Sequence, residues 1–336
     1  MKIQLLGWFD KNFGDDVMQK IVTESMPCDD FFVSCAQKEF LTHFKDCENV
    51  HICDKMPKVD ACVNVVGTGF KYDSKIGIIQ KIVSDFGDKG MMAPKTAVIG
   101  CSVDRPHGFL QKRLMKKELG KYEFISCRDE VSKKIIGDLS KKSVVRCHDD
   151  IVFSLDRRYV KRCECEECLG VIPVQRMFSA DNYKYYAALA GACDDYAEKY
   201  GRKALIFAFA TGNENDILAA MTIKRLMKHK DMAEIIAYDC DIEYIFENLS
   251  RCAAVISSRF HGIIAAMLAG VPVAAASDTS KVDIICEKFG IKRFDKNNLN
   301  PNELENALRT ELKFDLDLAC ADAAEHLKEL KNYIEN

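Results

Sequence analysis

The segment CAAVISSRFHGIIAAMLAGVPVAAAS, Cys252–Ser277, carries the architecture of the whole chain in one stretch. A small, β-branched apolar run ends at two serines. A helical stretch of small residues follows and closes at Gly270-Val271-Pro272 before a second apolar run. Strand, helix and strand joined by loops of few residues form the unit from which parallel sheets with covering helices are built. Neither apolar run alternates with polar residues, as expected of strands buried on both faces. At the seam stand Arg259 and His261. An unpaired buried charge is costly, so the seam either lines a cleft or is paired inside the protein. The carboxyl end of a strand is the usual ligand position in an open α/β sheet. Arg259 offers a planar fork for a carboxylate or phosphate. His261 lies at a helix N-terminus, where the dipole favours nearby anions. An anionic ligand therefore explains the seam economically, and a satisfied core histidine beside a structural arginine is the plainer alternative.

The same alternation runs outward in both directions. Strands are expected at KIQLLGWF, ACVNVVG, TAVIGCSV, YEFISC and SVVRC in the first half, and at LGVIPV, KALIFAFA, AEIIAYD, CAAVISS and VPVAAAS in the second. Between them lie helical patterns, among them DDVMQKIVTES, DEVSKKIIGDLS, NYKYYAALAGACDDYAEKY and NDILAAMTIKRLMKHK. The polar stretch DRRYVKRCECEECLG, residues 156–170, separates the halves. The expectation is an α/β protein of two domains of similar size, 1–160 and 161–336, with a cleft between the carboxyl ends of two sheets. The terminal LDLACADAAEHLKELKNYIEN has helical periodicity and is a candidate to cross back over the pair.

Composition narrows the function classes. The 336 residues are 48% hydrophobic and 29% charged, with a net charge of −3. That balance argues for neither nucleic acid nor an anionic membrane as a bulk electrostatic partner. The longest charge-free apolar run, Gly262–Ser277, is too short to span a bilayer and contains Pro272, so no transmembrane segment is expected. The N-terminal apolar run is too short, and acidic too soon, for a signal peptide. The 16 cysteines are scattered and read as reduced, small apolar residues of a cytoplasmic protein. A peripheral position on the inner face of the cell membrane is the membrane-associated option.

Four further motifs lie where strands meet helices. GWFDKNFGDD places Asn12, Asp15 and Asp16 at a strand–turn–helix junction, either facing a cleft or capping the helix. Its paired acids would repel phosphate, so it is no ordinary phosphate cradle. VVGTGF is a second glycine turn, and weak as a signal. SCRDEVS sets Arg128 beside the helix-capping Asp129. Arginine is unfavourable near the positive end of a helix, so Arg128 is a candidate to meet an anion, and the acids of CHDDIVF either hold it in place or simply cap a turn. RCECEEC supplies Cys163, Cys165 and Cys168, one ligand short of a usual zinc site, so no metal is expected there.

With these residues assembled, the chain resembles the polysaccharide pyruvyl transferase family. The resemblance is carried by GWFDKNFGDDVM, ISCRDEVS, DDIVF and VISSRFHGIIAAMLAGVPVAAASDTSKVDIICEKFGI. The last is the most specific. Ser257, Arg259, His261, Gly270, Pro272 and Lys281 fall in register with the family pattern, and Phe260 replaces its leucine. The glycine turn VVGTGF is looser than the family's. The resemblance implies two Rossmann-like domains facing a central cleft, an architecture similar to the GT-B glycosyltransferases, with phosphoenolpyruvate as donor and a sugar or lipid-linked glycan of the cell surface as acceptor. Under it His261 is the candidate acid, and Arg259 and Arg128 are anion clamps. Ser257 and Lys281 are further donor contacts, and Asp15, Asp16 and Asn12 lie toward the acceptor. The chemistry demands no metal or cofactor. A nucleotide-sugar glycosyltransferase and a non-catalytic anion-binding relative are the two alternatives of the same fold.

Overall fold

Two parallel sheets organise the chain in its computed structural model, which describes residues 1–69, 93–161, 163, 166–177, 179–299, 304, 306 and 314–336. The first sheet contains β1 (Lys2–Gly7), β2 (Asp30–Val33), β3 (Val50–Ile52), β4 (Ala61–Val65), β5 (Thr68–Gly69), β6 (Lys95–Val103), β7 (Phe124–Cys127) and β8 (Val144–Cys147). Their order is β3-β2-β1-β4-β6-β7-β8, with β5 on β6. The helices with these strands are α1 (Phe13–Ser25), α2 (Gly108–Leu119) and α3 (Glu130–Leu139).

The second sheet alternates with helices throughout: β9 (Cys168–Ile172), α4 (Ala180–Tyr200), β10 (Ala204–Ala208), α5 (Asp216–Leu226), β11 (Ala233–Ala237), α6 (Ile242–Ser250), β12 (Cys252–Ser257), α7 (Phe260–Ala269), β13 (Val273–Ala276), α8 (Ser280–Phe289) and β14 (Arg293–Phe294). Its order is β11-β10-β9-β12-β13-β14. Every ladder described between strands is parallel, as the unbroken apolar runs require. In each sheet the strand order reverses once, between β1 and β4 and between β9 and β12, which is the doubly wound topology.

Contacts divide the chain into two compact units. The first comprises Met1–Phe9, Val17–Ser154 and Leu318–Asn336, and the second comprises Asp10–Asp16 and Leu155–Asp317. The terminal helix α9 (Leu316–Glu335) therefore packs largely within the first unit. There His326 meets the Ser126 hydroxyl at 2.6 Å, and Tyr333 stacks on Phe124 at 5.2 Å.

Local chemistry accounts for the boundaries. Asp129, Ser179 and Asp241 accept backbone N–H groups at the starts of α3, α4 and α6. Gly270, inside the opening segment, ends α7 at φ 71°, a conformation that glycine adopts without strain. The expected helix over residues 215–230 stops instead at Leu226. Buried Asp194 accepts the N–H groups of Lys228 and His229 at 2.9 and 3.0 Å, which holds that stretch out of the helix.

Candidate functional site

In the second unit, the reversal between β9 and β12 puts the loops after those two strands side by side at the carboxyl edge of the sheet. The loop after β12 is the Ser257–His261 seam. Ser257 is fully buried; its hydroxyl donates to the Arg259 carbonyl at 2.8 Å and accepts the Arg259 N–H at 3.2 Å. Expected as a donor contact, Ser257 instead shapes the turn. Gly262 makes this possible, because a Cβ there would lie 2.5 Å from the Ser257 hydroxyl. Residues Gly262–Ala269 of α7 are all buried, so the helix is anchored along its length beneath the seam.

Arg259 is the N-cap residue of α7, and its guanidinium is held side-on. Nε and Nη2 donate to the two carboxylate oxygens of Asp216 at 2.5 and 2.7 Å, and Nη2 also pairs with Glu214 at 2.7 Å. Asp216 is wholly buried and accepts the N–H groups of Gln175 and Ala210 as well, at 2.9 and 3.0 Å. Burial acts to lower the Arg259 pKa, yet Asp216 and then Glu214 override it and raise the pKa, so the cation is secure. Among the described residues, Nη1 makes no hydrogen bond. Asp216, at the start of α5, is a member of the site that the sequence reading missed. Its only signal was an acid following Asn215 at a helix start.

His261, the second residue of α7, is half-buried against the segment Asp10–Asp16. A Cβ at Gly14 would lie 1.7 Å from the His261 Nδ1 and 2.4 Å from Cγ, so the imidazole occupies the space that glycine leaves open. Asn12 fixes the approach: its Oδ1 accepts the Gly14 N–H at 3.1 Å, and its amide reaches Glu214 at 3.4 Å. Asp10 accepts the backbone N–H and the side-chain amide of Asn213 at 2.8 and 2.6 Å. Asp15 is half-buried on the first turn of α1.

Asp16 requires a correction. Expected near an acceptor hydroxyl, it is fully buried and accepts the Tyr238 hydroxyl at 2.9 Å. Burial pushes its carboxyl well above the usual range, and it belongs to the packing of Phe13, Phe209 and Tyr238.

The loops after the neighbouring strands add charge that the sequence reading did not single out. Arg176, after β9, grips Asp278, after β13, through Nη1 and Nη2 at 3.3 and 2.8 Å. Lys296, after β14, reaches Asp278 at 3.1 Å and Asp181 at 3.0 Å. The Tyr185 hydroxyl ties the two central loops together, accepting the Val174 N–H and donating to Ser258, both at 2.9 Å. Lys281 is half-buried in the first turn of α8.

Arg128 lies in the first unit, at the carboxyl end of β7. Its Nη1 donates to Asp150 at 2.7 Å, both side chains being almost wholly buried, and Nη2 donates to Ser102 and Thr68 at 3.0 and 3.3 Å. DDIVF thus holds the arginine, one of the two roles open to its acids. Of the linker cysteines, Cys163 lies within 3.1 Å of the Ser250 hydroxyl and Cys168 is buried at the start of β9. Cys165 is outside the described residues, as is Phe70 of VVGTGF.

With this geometry in view, comparison with known proteins gives a consistent result. A family model described as polysaccharide pyruvyl transferase matches residues 29–278. No curated protein matches the chain. Among solved structures, the UDP-GlcNAc 2-epimerase of Methanocaldococcus jannaschii is similar at a TM-score of 0.62 and 8% identity, with 100% of each chain covered. Anabaena HepE in complex with UDP is similar at 0.59 and 12%, again with 100% of each chain covered. A UDP-N-acetylglucosamine 2-epimerase of Listeria monocytogenes is similar at 0.59 and 10%, over 98% of this chain and 90% of that one. These likenesses show a GT-B-type fold of two parallel-sheet α/β units.

Proposed function

The chain belongs to the polysaccharide pyruvyl transferase family, and from that premise we propose that it transfers pyruvate from phosphoenolpyruvate to two hydroxyls of a glycan sugar as a ketal, releasing phosphate. The observation that carries the reading is the seam itself. A fixed arginine whose Nη1 makes no hydrogen bond among the described residues stands beside a histidine seated at a helix N-terminus, at the strand-order reversal of a doubly wound sheet. Asp216 aims the guanidinium, and the donor's anionic groups engage the edge that Glu214 now shares.

The imidazolium of His261 gives its proton to the methylene carbon of the donor, which leaves an oxocarbenium-like centre at the adjacent carbon. One sugar hydroxyl adds there and returns a proton to His261. The second hydroxyl closes the ketal as the carbon–oxygen bond to phosphate breaks, and its proton leaves with the phosphate. Arg259 stabilises the negative charge on the donor throughout. Arg128 and Lys281 enter this reading as donor contacts, and Asp15 and Asn12 as acceptor contacts, on the family resemblance alone.

Donor choice tests the reading, because similar folds are found in proteins solved with UDP and UDP-glucose. Phosphoenolpyruvate at ~100 times its Kd should stabilise the protein by about 2.7 kcal/mol, and UDP-glucose should do much less. The reverse ranking would move the chain to the nucleotide-sugar glycosyltransferases. Phosphate release with a panel of glycan acceptors then separates an enzyme from a binding protein. His261→Gln should lower kcat by roughly 10²–10⁴-fold with donor binding retained. Arg259→Lys should weaken donor binding as well, since it keeps the charge and loses the fork.

A further inference from the structure

Helix α2 turns only one side to the protein. Met115, Glu118 and Leu119 are buried, and Met115 and Leu119 join the core of the first unit. The opposite side is unusual in what it exposes. Phe109 is 80% exposed and Leu110 52%, and Lys112, Arg113, Lys116 and Lys117 are exposed beyond them. At 3.6 residues per turn, Phe109, Arg113 and Lys116 lie on one stripe, with Leu110 and Lys117 along its flank. The first turn therefore presents two large apolar side chains, and the later turns present cations on the same face. Among the described residues, no ion pair engages Lys112, Arg113 or Lys116. The chain as a whole carries a net charge of −3, so this concentration is local rather than a general basic excess.

We propose that this outward face of α2 is a docking surface for an anionic phospholipid membrane. At a lipid interface the cations of such a face would lie among the phosphates and its two exposed apolar side chains would reach the acyl boundary. A polyanion such as RNA or an acidic protein would use the cations, but it gives Leu110 beside Phe109 no apolar phase to enter. The surface holds no residue assigned to pyruvyl transfer, so each reading stands or falls without the other.

Co-sedimentation of the full chain with vesicles tests it directly. Vesicles with about one-third phosphatidylglycerol should carry the protein down at low salt, and pure phosphatidylcholine should not. Each cation near such a surface contributes about fivefold in affinity, so Lys112→Gln, Arg113→Gln and Lys116→Gln together should weaken binding by roughly a hundredfold. Phe109→Ser with Leu110→Ser should weaken it by roughly a hundredfold or more, a loss that lowering the salt does not restore. All five side chains are exposed, and unchanged circular dichroism verifies that the variants fold. Equal partition to both vesicle types, binding unaffected by either set of variants, or binding to RNA but to neither vesicle would each overturn the proposal.

Discussion

Gly14→Ala is the smallest change that separates a working His261 from a packed one. The added methyl carbon would stand 1.7 Å from Nδ1, 2.4 Å from Cγ and 2.7 Å from Cε1 of the imidazole. Ordinary contact between such atoms begins near 3.4 Å, so the ring must retreat by about 3.4 − 1.7, or 1.7 Å, unless the backbone moves instead. The nearest atoms are Nδ1 and Cγ, at the root of the ring, so a turn about the last torsion alone does not relieve the overlap. A displacement of roughly 1 Å can cost about 10²-fold in rate, and complete loss of a general acid costs roughly 10²–10⁴-fold. We therefore expect kcat to fall by about 10²-fold or more. Stability should fall by less, because overpacking of this kind costs about 1–3 kcal/mol and alanine's preference over glycine in a helix returns at most about 1 kcal/mol of it.

The assay is a pair of measurements on one sample, phosphate release in the presence of acceptor and thermal melting. Gly14→Ala should melt modestly below the wild type and turn over poorly. It should also fail to add to His261→Gln, since the first change already removes what the second deletes. Wild-type turnover in Gly14→Ala, or full additivity of the two losses, would refute a catalytic His261 in this position.

Three further outcomes follow from the same contacts. Asp216→Ala strands Arg259 and two backbone donors in a buried setting, and should destabilise the second unit by about 3–5 kcal/mol, read as a lower melting transition. Arg128→Ala removes the buried cation that faces the Asp150 carboxylate, with a comparable loss of roughly 3–5 kcal/mol in the first unit, whose Trp8 is the chain's single tryptophan and reports on it by fluorescence. Acid should also weaken the first unit. Burial holds His43 down at about 3 and His326 at about 4, below the ordinary value of 6.5. The unfolded chain binds those protons first, so the stability is full above pH 6.5 and drains away as pH falls toward these values. In urea titrations, His326→Gln should flatten part of that slope between pH 6 and 4, and an unchanged slope would remove His326 from the account.

The α/β class was legible because parallel strands buried on both faces leave unbroken apolar runs, and β9, β10, β12 and β13 all read that way. What escaped notice was short or weakly patterned. β2 and β3 span only 4 and 3 residues. α2 buries so little of itself that its apolar residues do not keep a helical period, and its exposed Phe109 and Leu110 break the pattern a core-facing helix would show. The same feature that hid α2 from sequence reading is the one that gives it a surface to dock with.

The site was half legible, and the division has a physical basis. Arg259 and His261 are conspicuous because charge is rare between apolar runs, so their position alone raises the question of a ligand. Asp216 and Gly14, which aim them, are ordinary in sequence: one is an acid at a helix start, the other a glycine in a turn. Their roles exist only after folding, when 43 residues of separation between Asp216 and Arg259 collapse to a bidentate contact. Ser257 and Asp16 show the converse. Polar residues next to a cleft motif look functional in sequence, yet burial commits the Ser257 hydroxyl to its own turn and the Asp16 carboxyl to Tyr238. Position at a strand end thus singles out the candidate segment. Which side chains face a substrate depends on hydrogen-bond partners that come from distant parts of the chain.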